Sequence, residues 1–119
     1  MDEIVLFDRQ GRAVYRLCSG VFYDFTGTPR GFLVEETVYD LRGQHRGFFI
    51  AGAVRDRTGR IVGFTEEAQV PGLELPMVEV PPVPYDNLPA PEVPAGLCDL
   101  VCSAAPPLWS IMRLENLLV

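Results

Sequence analysis

The chain has 119 residues, 48% of them hydrophobic, a formal net charge of −6, ten arginines and no lysine. That length suits one compact domain with a tail. An acidic chain without a basic stripe argues against nucleic acid, whose binding rests on neutralising phosphates. No stretch approaches the ~20 apolar residues of a membrane span. The opening Met1-Asp2-Glu3 is acidic and the apolar run Ile4–Phe7 is too short for a secretory signal, so a cytoplasmic protein is expected.

From the N-terminus, Asp8, Asp24, Asp40 and Asp56 stand sixteen residues apart, and each is followed three positions later by Gly11, Gly27, Gly43 or Gly59. One small unit is therefore used four times over residues 1–68. Asp opening a type I turn accepts a hydrogen bond from the amide two residues on, and glycine in fourth place tolerates the positive φ of the bulge that follows. Each Asp-x-x-Gly thus reverses a strand. Tighter reversals, Ser19-Gly20, Glu35-Glu36 and Ala51-Gly52, lie between copies. Two turns per copy predict about eight short strands rich in Val, Phe, Tyr and Ile. A helix is excluded because six residues between turns cannot nucleate one.

Alternation puts Val38, Asp40 and Val54 on one side of the third copy, with Tyr39 and Leu41 on the other. Gly31, Gly47 and Gly63 each precede a phenylalanine and leave room for an aromatic to lie on the backbone. Phe32, Phe48 and Phe64 are accordingly expected near the pseudo-symmetry axis. The first copy is irregular, with Tyr15-Arg16 where the others have Gly-Phe, as suits an end unit.

Ten of the eleven prolines fall between Pro71 and Pro107. No regular helix or central strand survives that density, so residues 69–107 read as an extended, polyproline-type arm. Its Val, Leu and Met content predicts that it packs along the repeat domain or a sister subunit. Charge is uneven as well: residues 1–64 hold eight acids and nine arginines, whereas residues 65–119 hold eight acids and only Arg113. The close, residues 108–119, has apolar residues at 108, 111, 112, 114, 117 and 118 and predicts a short amphipathic C-terminal helix. The fold class is all-β: four β-hairpin repeats in a pseudo-four-fold arrangement, an arm and a terminal helix.

Four [Phe/Tyr]-Asp-x-x-Gly-type hairpins, a proline-punctuated stretch and a terminal Trp109-Ser110 together resemble the bacterial four-fold beta flower proteins. The resemblance covers nearly the whole chain. It implies a pseudo-four-fold β assembly of unassigned activity, with no catalytic residues to carry over. One departure stands out: family tails alternate proline with arginine, whereas this one carries Glu74, Glu79, Asp86 and Glu92.

Turn capping accounts for the four aspartates better than a metal does, since calcium loops gather several oxygens in one short loop. Cys18, Cys98 and Cys102 read as small buried hydrophobes, because zinc wants four ligands, usually with closer cysteine pairs. His45 and Ser19, Ser103 and Ser110 lack the setting of a catalytic group. Pro81-Pro82-Val83-Pro84-Tyr85 lacks the basic residue or Pro-Pro-x-Tyr of a proline-domain ligand. No enzyme, cofactor or metal is expected. The leading reading is a non-catalytic module that associates with itself or another protein, because short strands and exposed aromatics need covering. The alternative is a small-ligand or glycan-binding protein using a repeated rim of Phe7, Tyr23, Tyr39 and Arg55.

Overall fold

The computed structural model describes residues 3–118. Eight antiparallel strands close into a barrel in chain order: β1 (Ile4–Phe7), β2 (Ala13–Cys18), β3 (Val21–Tyr23), β4 (Pro29–Val34), β5 (Thr37–Asp40), β6 (His45–Ile50), β7 (Ala53–Asp56) and β8 (Ile61–Phe64). Closure removes the free edges that single hairpins would expose. The seam is its thinnest part: β1 and β8 share one partner pair, Phe7 and Phe64.

The four Asp-x-x-Gly reversals are built alike. Oδ1 of Asp8, Asp24, Asp40 and Asp56 accepts the amides two and four residues on, at 2.8–3.1 Å. Gly11, Gly27, Gly43 and Gly59 take φ of 81–90°, a region closed to most side chains. A register shift follows in every hairpin, after Leu6, Phe22, Val38 and Val54, leaving Val14, Arg30, Arg46 and Val62 as the extra residues. At the barrel's other end Ser19, Glu35 and Ala51 begin the tight reversals at φ near 51–53°, as hairpins of this twist require.

Leu6, Phe22, Val38 and Val54, the same position in each copy, point inward with Tyr15, Leu17 and Val62. The chain's own end fills the remaining space: Leu114, Leu117 and Leu118 enter the barrel from the Asp-x-x-Gly side and are at most 2% exposed. The plug is anchored by Tyr15 Oη on the Glu115 carbonyl (3.2 Å) and by Arg46 Nε on the Leu117 carbonyl (2.8 Å). Tyr15, the irregularity of the first copy, thus shares the hold on the plug with Arg46.

Two expectations are corrected here. Phe32, Phe48 and Phe64 are buried but do not meet at the axis; none belongs to the central cluster. They face outward, one residue out of phase with the inward positions, and the space over Gly31 and Gly63 is taken by Leu118 and Leu114 and by the carbonyls of Tyr39 and Phe7, not by aromatics. The amphipathic helix expected over 108–119 is a single 3₁₀ turn, Leu114–Asn116; Val119 lies outside the described residues. Before that turn the chain is spent otherwise, since Trp109 bridges Ile61 as a parallel partner and the Ser110 amide donates to the Ile61 carbonyl at 2.7 Å. A helix beginning at Leu108 would give up these bonds.

The arm carries no regular secondary structure and circles its own barrel. It passes the four Asp-x-x-Gly turns in order. A β-carbon on Gly11, Gly27 or Gly59 would overlap the carbonyls of Met77, Asp86 and Ala104, and Gly43 lies against Pro94 and Leu97. The arm thus advances in steps of nine residues against the barrel's sixteen, from Met77 to Asp86 and, two steps on, to Ala104. Nine residues of polyproline-type chain reach about 28 Å. Four such spans make a ring about 35 Å across, which matches a molecule measuring 38 × 33 × 25 Å.

The second aspartate oxygen differs from copy to copy. Oδ2 pairs with Arg12 on Asp8, with Arg30 on Asp24 and with the Ser110 hydroxyl on Asp56. On Asp40 it is buried without a partner among the described residues. Asp56→Ala, which strips bonds from two amides and from Ser110, should cost about 2–3 kcal/mol. Asp40→Ala also orphans two amides but removes an unsatisfied atom, and should cost about 1 kcal/mol, lowering Tm by about 4 °C. Thermal melts check the order; an unchanged Tm in Asp40→Ala rejects the capping role.

Burial pushes the Asp24 and Asp56 carboxyls up, but the hydrogen bonds they accept outweigh it: from Thr26, Thr28 and Arg30 on Asp24, and from Ser110, Thr58 and Arg60 on Asp56. Both end below the ordinary aspartate value. Their stabilisation is therefore complete above the unfolded-state pKa near 3.8 and is lost as pH falls through the depressed folded values. Unfolding free energy, measured by urea titration at successive pH values below about 4, should fall less steeply in Asp24→Asn/Asp56→Asn than in the parent.

Candidate functional site

Phe7, Tyr23, Tyr39 and Arg55 form a ring on the outer wall, one per copy. Each stands opposite a residue across the junction to its neighbour: Phe64, Arg16, Phe32 and Phe48. Outward-facing pairs of this kind are the unit of sheet stabilisation, and here they join consecutive copies.

The arm and, at the seam, the segment that follows it cover this ring at every copy. At the seam the Trp109 ring meets Phe64 edge-on, centroids 6.3 Å apart, and the Arg9 guanidinium lies 5.5 Å from the Trp109 ring centre. Arg16, 2% exposed, sits between Tyr23 and Phe25 and donates to Asn87 Oδ1 at 2.6 Å, to the Asp24 carbonyl at 2.8 Å and to Glu3 at 2.9 Å. The Tyr39 hydroxyl donates to the Cys98 carbonyl. Arg55 Nη1 donates to the carbonyls of Gly59 and Pro106 at 2.8 and 2.9 Å, and desolvation lowers its pKa. With Phe7, Tyr39 and Arg55 no more than 6% exposed and Tyr23 half-buried, the expected ligand rim is the seat of the arm.

The other sequence-derived candidates are scattered. His45 stacks edge-on against Phe48 at 4.8 Å and bonds the Gly47 carbonyl through Nε2; burial lowers its pKa and favours the neutral ring. Cys18, Cys98 and Cys102 are free thiols. Cys98 is exposed, not the small buried residue expected, because its carbonyl, turned to Tyr39, makes the contact with the wall. Among the described residues no group of three or more His, Cys, Asp or Glu side chains could hold a metal.

The two barrel ends differ in a way the repeat motif does not announce. Exposed arginines Arg9, Arg12, Arg30, Arg42, Arg57 and Arg60 stand at the Asp-x-x-Gly end, which the leucine plug closes. At the opposite mouth stand Glu3, Glu35, Glu36, Glu66 and Glu67, all exposed. That mouth opens into a cavity of about 710 Å³ lined by Ile4, Val5, Phe49, Thr65, Gln69 and the acids Glu3, Glu66 and Glu67, with Ala51 and Gly52 at its edge. A second cleft of about 180 Å³ lies beside the plug, between Asp8, Gln10, Trp109 and Met112. The signal for the mouth in the sequence is the glutamates at and beside the tight-turn register, Glu35-Glu36 and Glu66-Glu67.

Tyr15, inside the barrel, has its pKa pushed up to about 12 by burial, so its hydroxyl remains a hydrogen-bond donor to the plug. His45 lies in neither cavity wall, and the Ser110 hydroxyl, beside the smaller cleft, is engaged by the Asp56 carboxylate.

No curated protein and no solved structure matches the chain. A family model, the 4-fold beta flower protein, matches residues 4–118, the span that runs from the first strand through the arm to the plug. With four equivalent hairpins closed into one barrel, the chain belongs to the 4-fold beta flower family.

Proposed function

We propose that the protein is a non-catalytic β-repeat module that acts by binding protein, and that its first partner is another copy of itself. The observation that carries this reading is the outer surface of the arm. Met77, Val80, Val83 and Val101 are 89–93% exposed, and Tyr85 is 72% exposed. These side chains lie on a segment whose backbone is held to the barrel, through the Glu79 amide on the Gly11 carbonyl (2.9 Å), the Leu88 amide on the Gly27 carbonyl (2.8 Å) and the Leu100 amide on Thr37 Oγ1 (2.7 Å). An apolar surface presented by an ordered backbone loses little entropy on docking.

Charge favours a second copy as the partner. The arm interleaves its apolar residues with Glu74, Glu79, Asp86, Glu92 and Asp99, while the barrel end offers the exposed arginines of the turns. Opposed fields of this kind steer encounter and fix register. Fully burying a side chain such as Val83 or Val101 is worth about 1.5–3 kcal/mol, so a handful offsets the roughly 4–15 kcal/mol of association entropy. We read the compartment as cytoplasmic, because the three free thiols suit a reducing one.

Size-exclusion chromatography with light scattering, run from low to high micromolar protein, should give a mass that rises with concentration. Val80→Glu/Val83→Glu should shift it to the monomer while leaving Tm within a few degrees, since both side chains are solvent-exposed in the single chain. A strictly monomeric parent at high concentration overturns the reading.

A further inference from the structure

We infer that the open mouth of the barrel is a binding site for a small amphiphile with a cationic head, an alkyl or aryl amine, whose apolar body enters the cavity while its ammonium stays among the glutamates of the rim. This goes beyond self-association through the arm, since the cavity wall takes only Gln69 from the arm and none of its exposed apolar residues.

The cavity comes first. Its volume of about 710 Å³ falls within the ~300–1,000 Å³ of small-molecule sites. Leu114, Leu117 and Leu118 fill the barrel from the Asp-x-x-Gly side, Leu118 against Gly31 and Leu114 against Gly63, and none of the three lines the cavity. Toward the mouth Phe49 and Leu33 pack on the core with one face and stay half-buried, and Ile4 is 40% exposed. A closed barrel would ordinarily spend such side chains on its own packing. Phe49, Ile4 and Val5 line the cavity wall as an apolar surface.

The rim decides the head group. Every charged residue lining the cavity is an acid: Glu3, Glu66 and Glu67. Glu3 is held by Arg16 at 2.9 Å, whereas among the described residues no arginine pairs with Glu66 or Glu67. The Thr65 hydroxyl is spent on the Gly52 carbonyl at 3.1 Å, which leaves the two glutamates as the ionic partners for an incoming group. An anionic amphiphile meets like charge there, and a neutral one gains the apolar contact alone. A single exposed ion pair contributes little, up to about 1 kcal/mol, so affinity rests on the cavity and selectivity on the rim.

The test compares n-octylamine, 1-octanol and octanoate, each titrated into the full-length ¹⁵N-labelled protein at low ionic strength. The expected result is saturable shifts at the amides of Phe49, Gly52, Thr65 and Glu66, with octylamine binding about fivefold more tightly than octanol and octanoate more weakly than either. In Glu66→Gln/Glu67→Gln, two exposed positions, the amine's advantage should fall toward onefold while octanol binding is unchanged. Phe49→Leu, which keeps the packing face and shortens the wall, should weaken amine and octanol alike; a thermal melt on the same sample reports whether it folds. Rising salt should narrow the amine's advantage. No saturable shift at the mouth, shifts centred elsewhere, an equal response to the three probes, or a preference for amine that survives Glu66→Gln/Glu67→Gln each overturns the inference.

Discussion

One carboxylate oxygen, repeated four times, sets the geometry on which the rest depends. Oδ1 of each Asp-x-x-Gly aspartate holds the amides two and four residues on, and so closes the reversal and starts the bulge in one step. The bulge supplies the bend that eight short strands need to close. It also puts one extra residue per copy, Val14, Arg30, Arg46 or Val62, at the end where the chain terminus enters. A repeat that could not stand alone thereby acquires both a closed sheet and a defined opening to fill.

The wall this builds has two unlike surfaces, and the chain's second half serves both. Inside, the apolar positions Leu6, Phe22, Val38 and Val54 of the odd strands and the glycines of β4 and β8 leave room that three leucines of the C-terminal segment occupy. Outside, four cross-strand pairs are each covered by a different piece of the chain's second half. The coverings show how loosely a repeat constrains its chemistry: an indole at the seam, an asparagine at Arg16, a carbonyl at Tyr39 and another at Arg55. At Arg16, Tyr39 and Arg55 the requirement is a hydrogen-bond partner for a large half-polar side chain shielded from water; at Phe64 it is an aromatic one. The molecule that results is closed by leucines at one end and open at the other, where glutamates gather.

How far the sequence alone could go follows from the range of each interaction. The four reversals, the strand count and the lack of long helices before residue 65 were legible because Asp-to-amide bonds and positive-φ glycines act within four residues. The arm's extended character was legible for the same reason, proline acting on its own backbone and its neighbour's. Which way Phe32, Phe48 and Phe64 face was not. Their inward or outward choice turns on a single-residue bulge, and a shift of one residue exchanges the two faces of a strand. The 3₁₀ turn in place of a helix escaped for a related reason: the spacing of Leu108, Ile111 and Leu114 satisfies a helical pattern, but Trp109 and Ser110 have better partners in Ile61 and Asp56.

By itself, then, the sequence determined a fourfold hairpin unit, its turns and an extended arm, because those are written in contacts between near neighbours. Only the tertiary structure decided that the arm circles its own barrel, that the apparent rim of Phe7, Tyr23, Tyr39 and Arg55 is its seat, and that the opposite mouth is an open, acidic cavity. Each of these depends on residues 50 to 100 positions apart meeting in space, such as Tyr15 with Glu115 or Arg55 with Pro106. Such meetings are set by the closure of the sheet, which no local spacing encodes.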